Sequence, residues 1–135
     1  MIAIDSNVLA FLLLNGGHTP NARALFELDA DWHSDVFVLV ELTNVLATAM
    51  RVRGLPLPQA AAALTKAQGV VEYGLHMADH ADVLGLAAHL RVSAYDARFL
   101  VVAKDLGLRL VTEDAKLRRA AATLTQSLAE AVAKI

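Results

Sequence analysis

Four carboxylates lie where the sequence predicts that strands end, that helices begin or that a helix meets the core: Asp5, Glu41, Asp96 and Asp114. In an open parallel sheet, the carboxyl ends of neighbouring strands meet in one crevice, and ligands bind there. Carboxylates gathered from distant parts of the chain would form an oxygen-only ligand set, which suits Mg²⁺ or Mn²⁺ better than Zn²⁺. Ions held in this way activate water and neutralise charge during phosphodiester cleavage. The four acids therefore predict a hard-metal site.

Glu41 is the acid that local structure explains least. Asp5 could form a turn after its strand, and Asp114 could interact with a helix dipole. Asp96 could belong to a capping box. Glu41 instead lies well inside a predicted helix, on a largely apolar face, with no basic residue within one turn. A carboxylate in such a place is costly unless something compensates it, which favours a functional site.

Composition excludes several other kinds of site. The chain has no cysteine, which excludes disulfides, thiolate zinc sites and iron–sulfur clusters. No GxxxxGK[ST] or GxGxxG pattern supports nucleotide binding through a glycine-rich loop. The 135 residues predict a single domain, 1–135, and the hydrophobic fraction of 56% is enough for a sizeable core.

The charges and the apolar segments indicate the compartment and the class of partner. The net charge is −2, but six of the 12 basic residues lie between Arg98 and Arg119. A phosphate-bearing partner is therefore acceptable if metal ions neutralise the acids. Asp5 and Asn7 interrupt the first apolar run, so no signal peptide is expected, and no segment is apolar for long enough to span a bilayer. We expect a cytoplasmic protein without membrane contact.

Strands and helices alternate along the chain, which predicts an α/β sheet with helices on both faces. Helices predicted at 36–53 and 60–68 are expected to end at Gly54 and Gly69. Asp29, Asp31 and Asp35 surround the second strand and are interpreted as solvated caps. The predicted strands are residues 2–5, 32–34, 70–73, 108–111 and 123–125.

Four short segments, in this order and at these spacings, form a combined signature: Ile2-Ala3-Ile4-Asp5-Ser6-Asn7-Val8-Leu9, Val40-Glu41-Leu42-Thr43-Asn44-Val45-Leu46, Ser93-Ala94-Tyr95-Asp96-Ala97 and Leu110-Val111-Thr112-Glu113-Asp114-Ala115-Lys116-Leu117. On these residues the chain resembles the PIN domain over nearly its whole length. Among PIN domains it resembles VapC-type toxins. The resemblance implies a three-layer α/β/α sandwich around a mostly parallel sheet, here of four to five strands.

The resemblance also implies an activity and a set of roles. It implies Mg²⁺- or Mn²⁺-dependent endoribonuclease activity, with Asp5 and Asp96 as the principal metal ligands. Glu41 and Asp114 would complete the acidic site, directly or through water. Two polar neighbours, Asn7 and Thr112, would orient the ligands. Toxins of this family are usually homodimers silenced by a small antitoxin, so we expect RNA, a cognate antitoxin and a second copy of the chain as partners.

One departure from the family pattern and several alternatives stay open. Arg98 follows Asp96 by two residues, where an uncharged residue is usual, and could pair with the acids or contact RNA phosphate. A PIN-like module could also bind metal and RNA, or a partner protein, without cleaving. A phospho-acceptor receiver domain fits poorly, because Ser6 stands where a second acid is expected. A haloacid-dehalogenase phosphatase fits poorly because residue 7 is Asn.

Overall fold

A parallel sheet lies at the centre of this computed structural model, which describes residues 1–134. Within those residues the sheet has five strands in the order β3-β2-β1-β4-β5, all of them parallel. The expected α/β/α architecture is confirmed, with a sheet at the upper end of the predicted strand number. The strands are β1 (Ile2–Ile4), β2 (Trp32–Asp35), β3 (Leu75–His76), β4 (Leu110–Val111) and β5 (Thr125–Gln126).

Eight helices connect and cover these strands within residues 1–134. Gly54 ends the long third helix in the left-handed conformation, with φ 68°, as its position predicts. No helix in this described range is long and apolar enough to cross a membrane. The helices are α1 (Ser6–Leu13), α2 (Thr19–Leu28), α3 (Phe37–Arg53), α4 (Leu57–Val70), α5 (His80–Leu90), α6 (Ala94–Asp105), α7 (Ala115–Ala120) and α8 (Leu128–Ala133).

The central strands are buried on both faces. Every residue of β1 and β4 is buried, which is expected of parallel strands covered by helices on each side. Helix α6 packs against β1, β2 and β4, with α5 against it, while α1 contacts α2, α3 and α4. This burial fixes where each central strand ends, and so where the residues after it lie.

The third strand is not where the sequence predicts it. Residues 70–73 were expected to form a strand, but α4 continues through Gly69 to Val70 and a turn follows. The strand starts only after Gly74, whose carbonyl accepts a hydrogen bond from Ser34 of β2 at 2.9 Å. Gly74 is required there because a Cβ atom at this position would overlap the backbone carbonyl of Trp32.

Replacing Gly74 by alanine tests this close approach. We expect Gly74→Ala to lower the free energy of unfolding by roughly 1–3 kcal/mol, because the added methyl group overpacks a backbone contact. The matched control is Gly85→Ala in the middle of α5, where a Cβ meets no atom within 4 Å. That variant should be more stable than the parent by about 0.5–1 kcal/mol, because alanine favours a helix. Urea unfolding measures both, and equal effects at the two sites would contradict the role of Gly74.

Candidate functional site

The carboxyl ends of β1 and β4 form the floor of the candidate site. In the sheet β1 lies between β2 and β4, so the connections that leave β1 and β4 run towards opposite edges of the sheet. A ligand crevice opens at such a point. Asp5 follows β1 directly, and Thr112 follows β4. The Thr112 hydroxyl donates a hydrogen bond to Asp5 Oδ2 at 2.6 Å, and the Val8 N–H donates to Asp5 Oδ1 at 3.0 Å. The buried carboxyl of Asp5 is therefore held from two sides.

Glu41 reaches the same crevice from the second turn of α3. Its carboxylate is half-buried, and Oε1 accepts a hydrogen bond from the Ser6 hydroxyl at 2.8 Å. Ser6 is the first residue of α1, directly after Asp5, so this bond ties the helix that carries Glu41 to the end of β1. A hydroxyl 35 positions away thus supplies part of the compensation that a carboxylate on an apolar helix face requires.

The last two acids lie at helix N-termini. Asp96 is in the first turn of α6, where its N–H donates to the side chain of the N-cap Ser93 at 3.0 Å. Asp114 is itself the N-cap of α7 and accepts from the Leu117 N–H at 3.1 Å. The Asp114 N–H in turn donates to the Thr112 hydroxyl at 3.1 Å. Thr112 therefore links the Asp5 and Asp114 sides of the crevice.

A cleft of about 410 Å³ joins the four acids. The predicted site residues Asp5, Glu41, Asp96 and Asp114 all line it, as does Asn7, while Thr112 lies buried beneath it. The acids, from four distant parts of the chain, thus share one surface. The remaining lining residues are Ser6, Phe37, Val40, Asn44, Val45, Tyr95 and Phe99.

The acids influence one another electrostatically. The pKa of the Asp5 carboxyl is raised to about 6, mainly by burial and to a smaller degree by the charges of Glu41 and Asp96, while the hydrogen bonds from Thr112 and the Val8 N–H act in the opposite direction. Burial also raises the pKa of Glu41, with a contribution from Asp96. For Asp96, burial raises the pKa most and the charge of Asp114 adds to this, while Lys116 acts in the opposite direction. Burial and mutual repulsion thus disfavour the ionised forms of Asp5, Glu41 and Asp96.

The donor set suits a hard divalent ion, but the acids are not gathered around one point. Within residues 1–134, no three His, Asp or Glu side chains converge closely enough to hold a metal ion. Each of Asp5, Glu41 and Asp114 instead accepts a hydrogen bond from a donor of its own. Repulsion keeps such anions apart when no cation balances them. Because every acidic donor atom is an oxygen, the set suits Mg²⁺ or Mn²⁺, which bind through one or two carboxylates and keep several waters.

Asp35 corrects one interpretation of the sequence. Expected to be a solvated cap, it is completely buried at the end of β2. Arg98 donates to both of its oxygens, from Nε at 2.8 Å and from Nη2 at 3.2 Å. The backbone N–H groups of Phe37 and Ala78 donate to the same carboxylate at 2.8 and 2.9 Å. Arg98 thus pairs with Asp35, an acid outside the cleft.

Sequence reasoning missed several residues of the cleft. Ser6 stands beside Asp5, and Asn44 lies three positions after Glu41, a spacing that places two side chains on one helix face. Those spacings were a usable signal. Tyr95 directly precedes Asp96 and Phe37 lies four positions before Glu41, so both carried the same kind of signal. Their stacking on one another is visible only in the folded chain, because they come from different helices.

Comparison with known proteins agrees with this geometry. The family model described as the PIN domain matches residues 2–123. The chain belongs to the PIN domain family. PIN domains are generally metal-dependent nucleases. No curated protein matches this PIN domain. Among solved structures, it is similar to PAE2754 from Pyrobaculum aerophilum, with a TM-score of 0.75 and 19% identity over 97% of this chain and 85% of that one. At this identity the likeness concerns the fold.

Removing the Arg98 side chain tests the importance of the buried pair. Arg98→Ala would leave the Asp35 carboxylate buried without its cation, and we expect the free energy of unfolding to fall by about 3 kcal/mol or more. Arg118→Ala is the matched control, because its 2.7 Å ion pair with Glu130 is solvent-exposed. The urea midpoint should change little in the control. An equal loss of unfolding free energy in the two variants would show that the buried Arg98–Asp35 pair contributes no more to stability than the exposed pair.

Asp5 gives a prediction about pH. Its folded-state pKa of about 6 lies above the ordinary value of 3.8, so the folded protein binds more protons between these pH values and loses stability as the pH rises through them. Above about pH 6 the penalty is constant at roughly 3 kcal/mol. Asn is also a good N-cap, so Asp5→Asn in EDTA should be more stable than the parent at pH 7.5 and similar to it at pH 3.5. Urea unfolding at the two pH values measures this, and a less stable variant at pH 7.5 would contradict it.

Proposed function

We propose that this PIN domain is a Mg²⁺- or Mn²⁺-dependent endoribonuclease, the toxin component of a type II, VapBC-like toxin–antitoxin pair. The single observation that carries the nuclease proposal is that Asp5, Glu41, Asp96 and Asp114 line one cleft. Three of these carboxyl groups have raised pKa values, for which burial is the largest cause. Divalent cations relieve both the repulsion and the lost hydration of such a cluster.

The proposed roles follow from how each side chain is held. Asp5 and Asp96 would be the principal ligands, with Glu41 and Asp114 completing the set directly or through water. Thr112 fixes the orientation of Asp5, and Ser6 fixes that of Glu41. Asn7, at the rim, would orient the ligands or the substrate. A bound divalent ion would supply an activated water and offset charge on the phosphodiester.

Cationic residues beside the acids support a polyanionic substrate. Lys116 is close enough to Asp96 for its charge to lower the pKa of that carboxyl. It is exposed, and so is Arg119 in the same short helix, whereas Arg118 is paired with Glu130. Attraction between such cations and phosphate is independent of sequence and decreases with salt. The same cationic surface is compatible with an antitoxin that carries acidic residues. We further propose that the toxin acts in the cytoplasm and that it is a homodimer.

A second candidate function is a module that binds metal and RNA, or a partner protein, without cleaving. The observation that favours it is the lining of the cleft beside the acids, where Tyr95 and Asn44 could contact RNA or a protein without taking part in hydrolysis. In that case RNA would bind and remain intact. The two candidates therefore differ in turnover, and both require the acids to bind cations.

Asp96→Asn tests the nuclease proposal. Purified protein should cleave RNA in Mg²⁺ or Mn²⁺, and both EDTA and Asp96→Asn should reduce the rate at least 100-fold, because the variant loses a charged ligand. The matched control is Asp82→Asn. Asp82 occupies the same position in α5 as Asp96 does in α6, third after the N-cap, with its N–H bonded to the cap side chain. This control should cleave at the parent rate.

The outcomes separate the two functions. Equal cleavage by the Asp96→Asn protein would mean that a contaminant is the nuclease and would refute the assignment. RNA binding without cleavage in every metal would favour the second candidate. Thermal unfolding gives a readout that needs no substrate: Mn²⁺ should raise the Tm of the parent and of Asp82→Asn, and should raise that of Asp96→Asn much less.

A further inference from the structure

An aromatic pair forms one wall of the acid cleft. The rings of Phe37 and Tyr95 stack with their centroids 5.2 Å apart and their planes 13° from parallel. Phe37 is the first residue of α3, and Tyr95 directly precedes Asp96 in α6. Tyr95 is 60% exposed, so the packing against Phe37 leaves most of its ring surface in contact with solvent. A large exposed ring therefore stands beside a proposed metal ligand.

We propose that the exposed face of Tyr95 is a platform on which an unpaired nucleobase of single-stranded RNA stacks while the adjoining phosphate lies at the acids. The inference rests on the proposed nuclease function and names the form of its substrate. Base stacking on an aromatic ring tolerates any base, because every base has a π face. The platform would therefore favour single strands without selecting one sequence.

The chemistry of the cleft favours a nucleotide over an apolar protein segment. Its floor is a cluster of carboxylates, and its wall is the aromatic pair. An apolar segment laid across both would bury charged groups without partners, which is strongly unfavourable. A nucleotide carries a flat base and an anionic phosphate on one sugar, so it can satisfy the ring and, through a cation, the acids.

Two further features fit a base in this position. Asn7 and Asn44 are exposed and line the same cleft, and their amides can both donate to and accept from the edge of a base. The stacked Phe37 holds the Tyr95 ring in place, so less side-chain freedom is lost when a base binds. In a duplex, each base is already stacked on both faces, and the platform would have nothing to bind.

Steady-state cleavage of a fluorescently labelled single-stranded oligoribonucleotide is the first test. Tyr95→Ala should raise KM by roughly 5- to 100-fold and change kcat little, because one stacking contact is lost. Tyr95→Phe should behave like the parent. Tyr95→Leu keeps an apolar contact with Phe37 but has no ring, so it should resemble Tyr95→Ala even if the alanine variant folds poorly. The matched control is Tyr73→Ala, because Tyr73 is the only other tyrosine, is 92% exposed and lies outside the cleft.

Fluorescence gives a second test that needs no turnover. The one native tryptophan, Trp32, is only 1% exposed, so the indole introduced by Tyr95→Trp would be the accessible one. Single-stranded RNA, added with Mg²⁺ and read before cleavage accumulates, should quench this indole. A duplex of the same sequence should not, and Tyr73→Trp should respond to neither. If the parent cleaves no RNA, the nuclease proposal fails, and quenching still decides whether the platform exists.

Two results would overturn the inference. The first is an unchanged KM in both Tyr95→Ala and Tyr95→Leu together with no quenching in Tyr95→Trp. The second comes from sedimentation: if Tyr95→Ala converts a dimer into monomers while KM for RNA stays at the parent value, the ring belongs to an interface between subunits.

Discussion

The Asp35 carboxylate receives hydrogen bonds from three separate parts of the chain. Phe37 donates from the start of α3, Ala78 from the segment after β3, and Arg98 from α6. Helix α3 carries Glu41 and helix α6 carries Asp96, so both acids are positioned from one buried anchor at the end of β2. A buried carboxylate satisfied by backbone N–H groups and a guanidinium tolerates little displacement, because any movement leaves charge unpaired. The cleft depends on this constraint although Asp35 does not line it.

The cleft and its anchor use carboxylates in opposite ways. Asp35 has a cation and four donated hydrogen bonds, whereas Asp5, which is also buried, has only the Thr112 hydroxyl and the Val8 N–H. Burial is the largest cause of the raised pKa of Asp5, and its two hydrogen bonds offset it only in part. Functional sites commonly retain such unfavourable charge, because the ligand that binds to the site offsets the charge. The fully compensated carboxylate therefore lies in the anchor, and the incompletely compensated one lies where a cation could bind.

Local patterns were sufficient for the main elements and for Glu41, because burial of an apolar helix face is visible at a spacing of three to four residues. They failed where the cause lies in distant contacts. The partner of Asp35 is 63 positions away, so the sequence around Asp35 shows only an acid beside a strand. The start of β3 depends on the room that Gly74 leaves for the carbonyl of Trp32, and no property of residues 70–73 reports it. Ser6 was within reach of inference, since it directly follows Asp5.

The hydrogen bond between Thr112 and Asp5 joins residues 107 positions apart, since β1 pairs with β4 and the two strands come from opposite ends of the chain. Such non-local pairing is intrinsically slow, because the entropy of closing a long loop is lost before the contact stabilises the chain. During translation, β1 can pair with β4 only after residues 110–111 have left the ribosome, so the crevice between them cannot form earlier. A nascent chain thus carries its first three acids without the Asp114 side of the site. Synthesis of the polypeptide is in this way separated in time from assembly of the acid cleft.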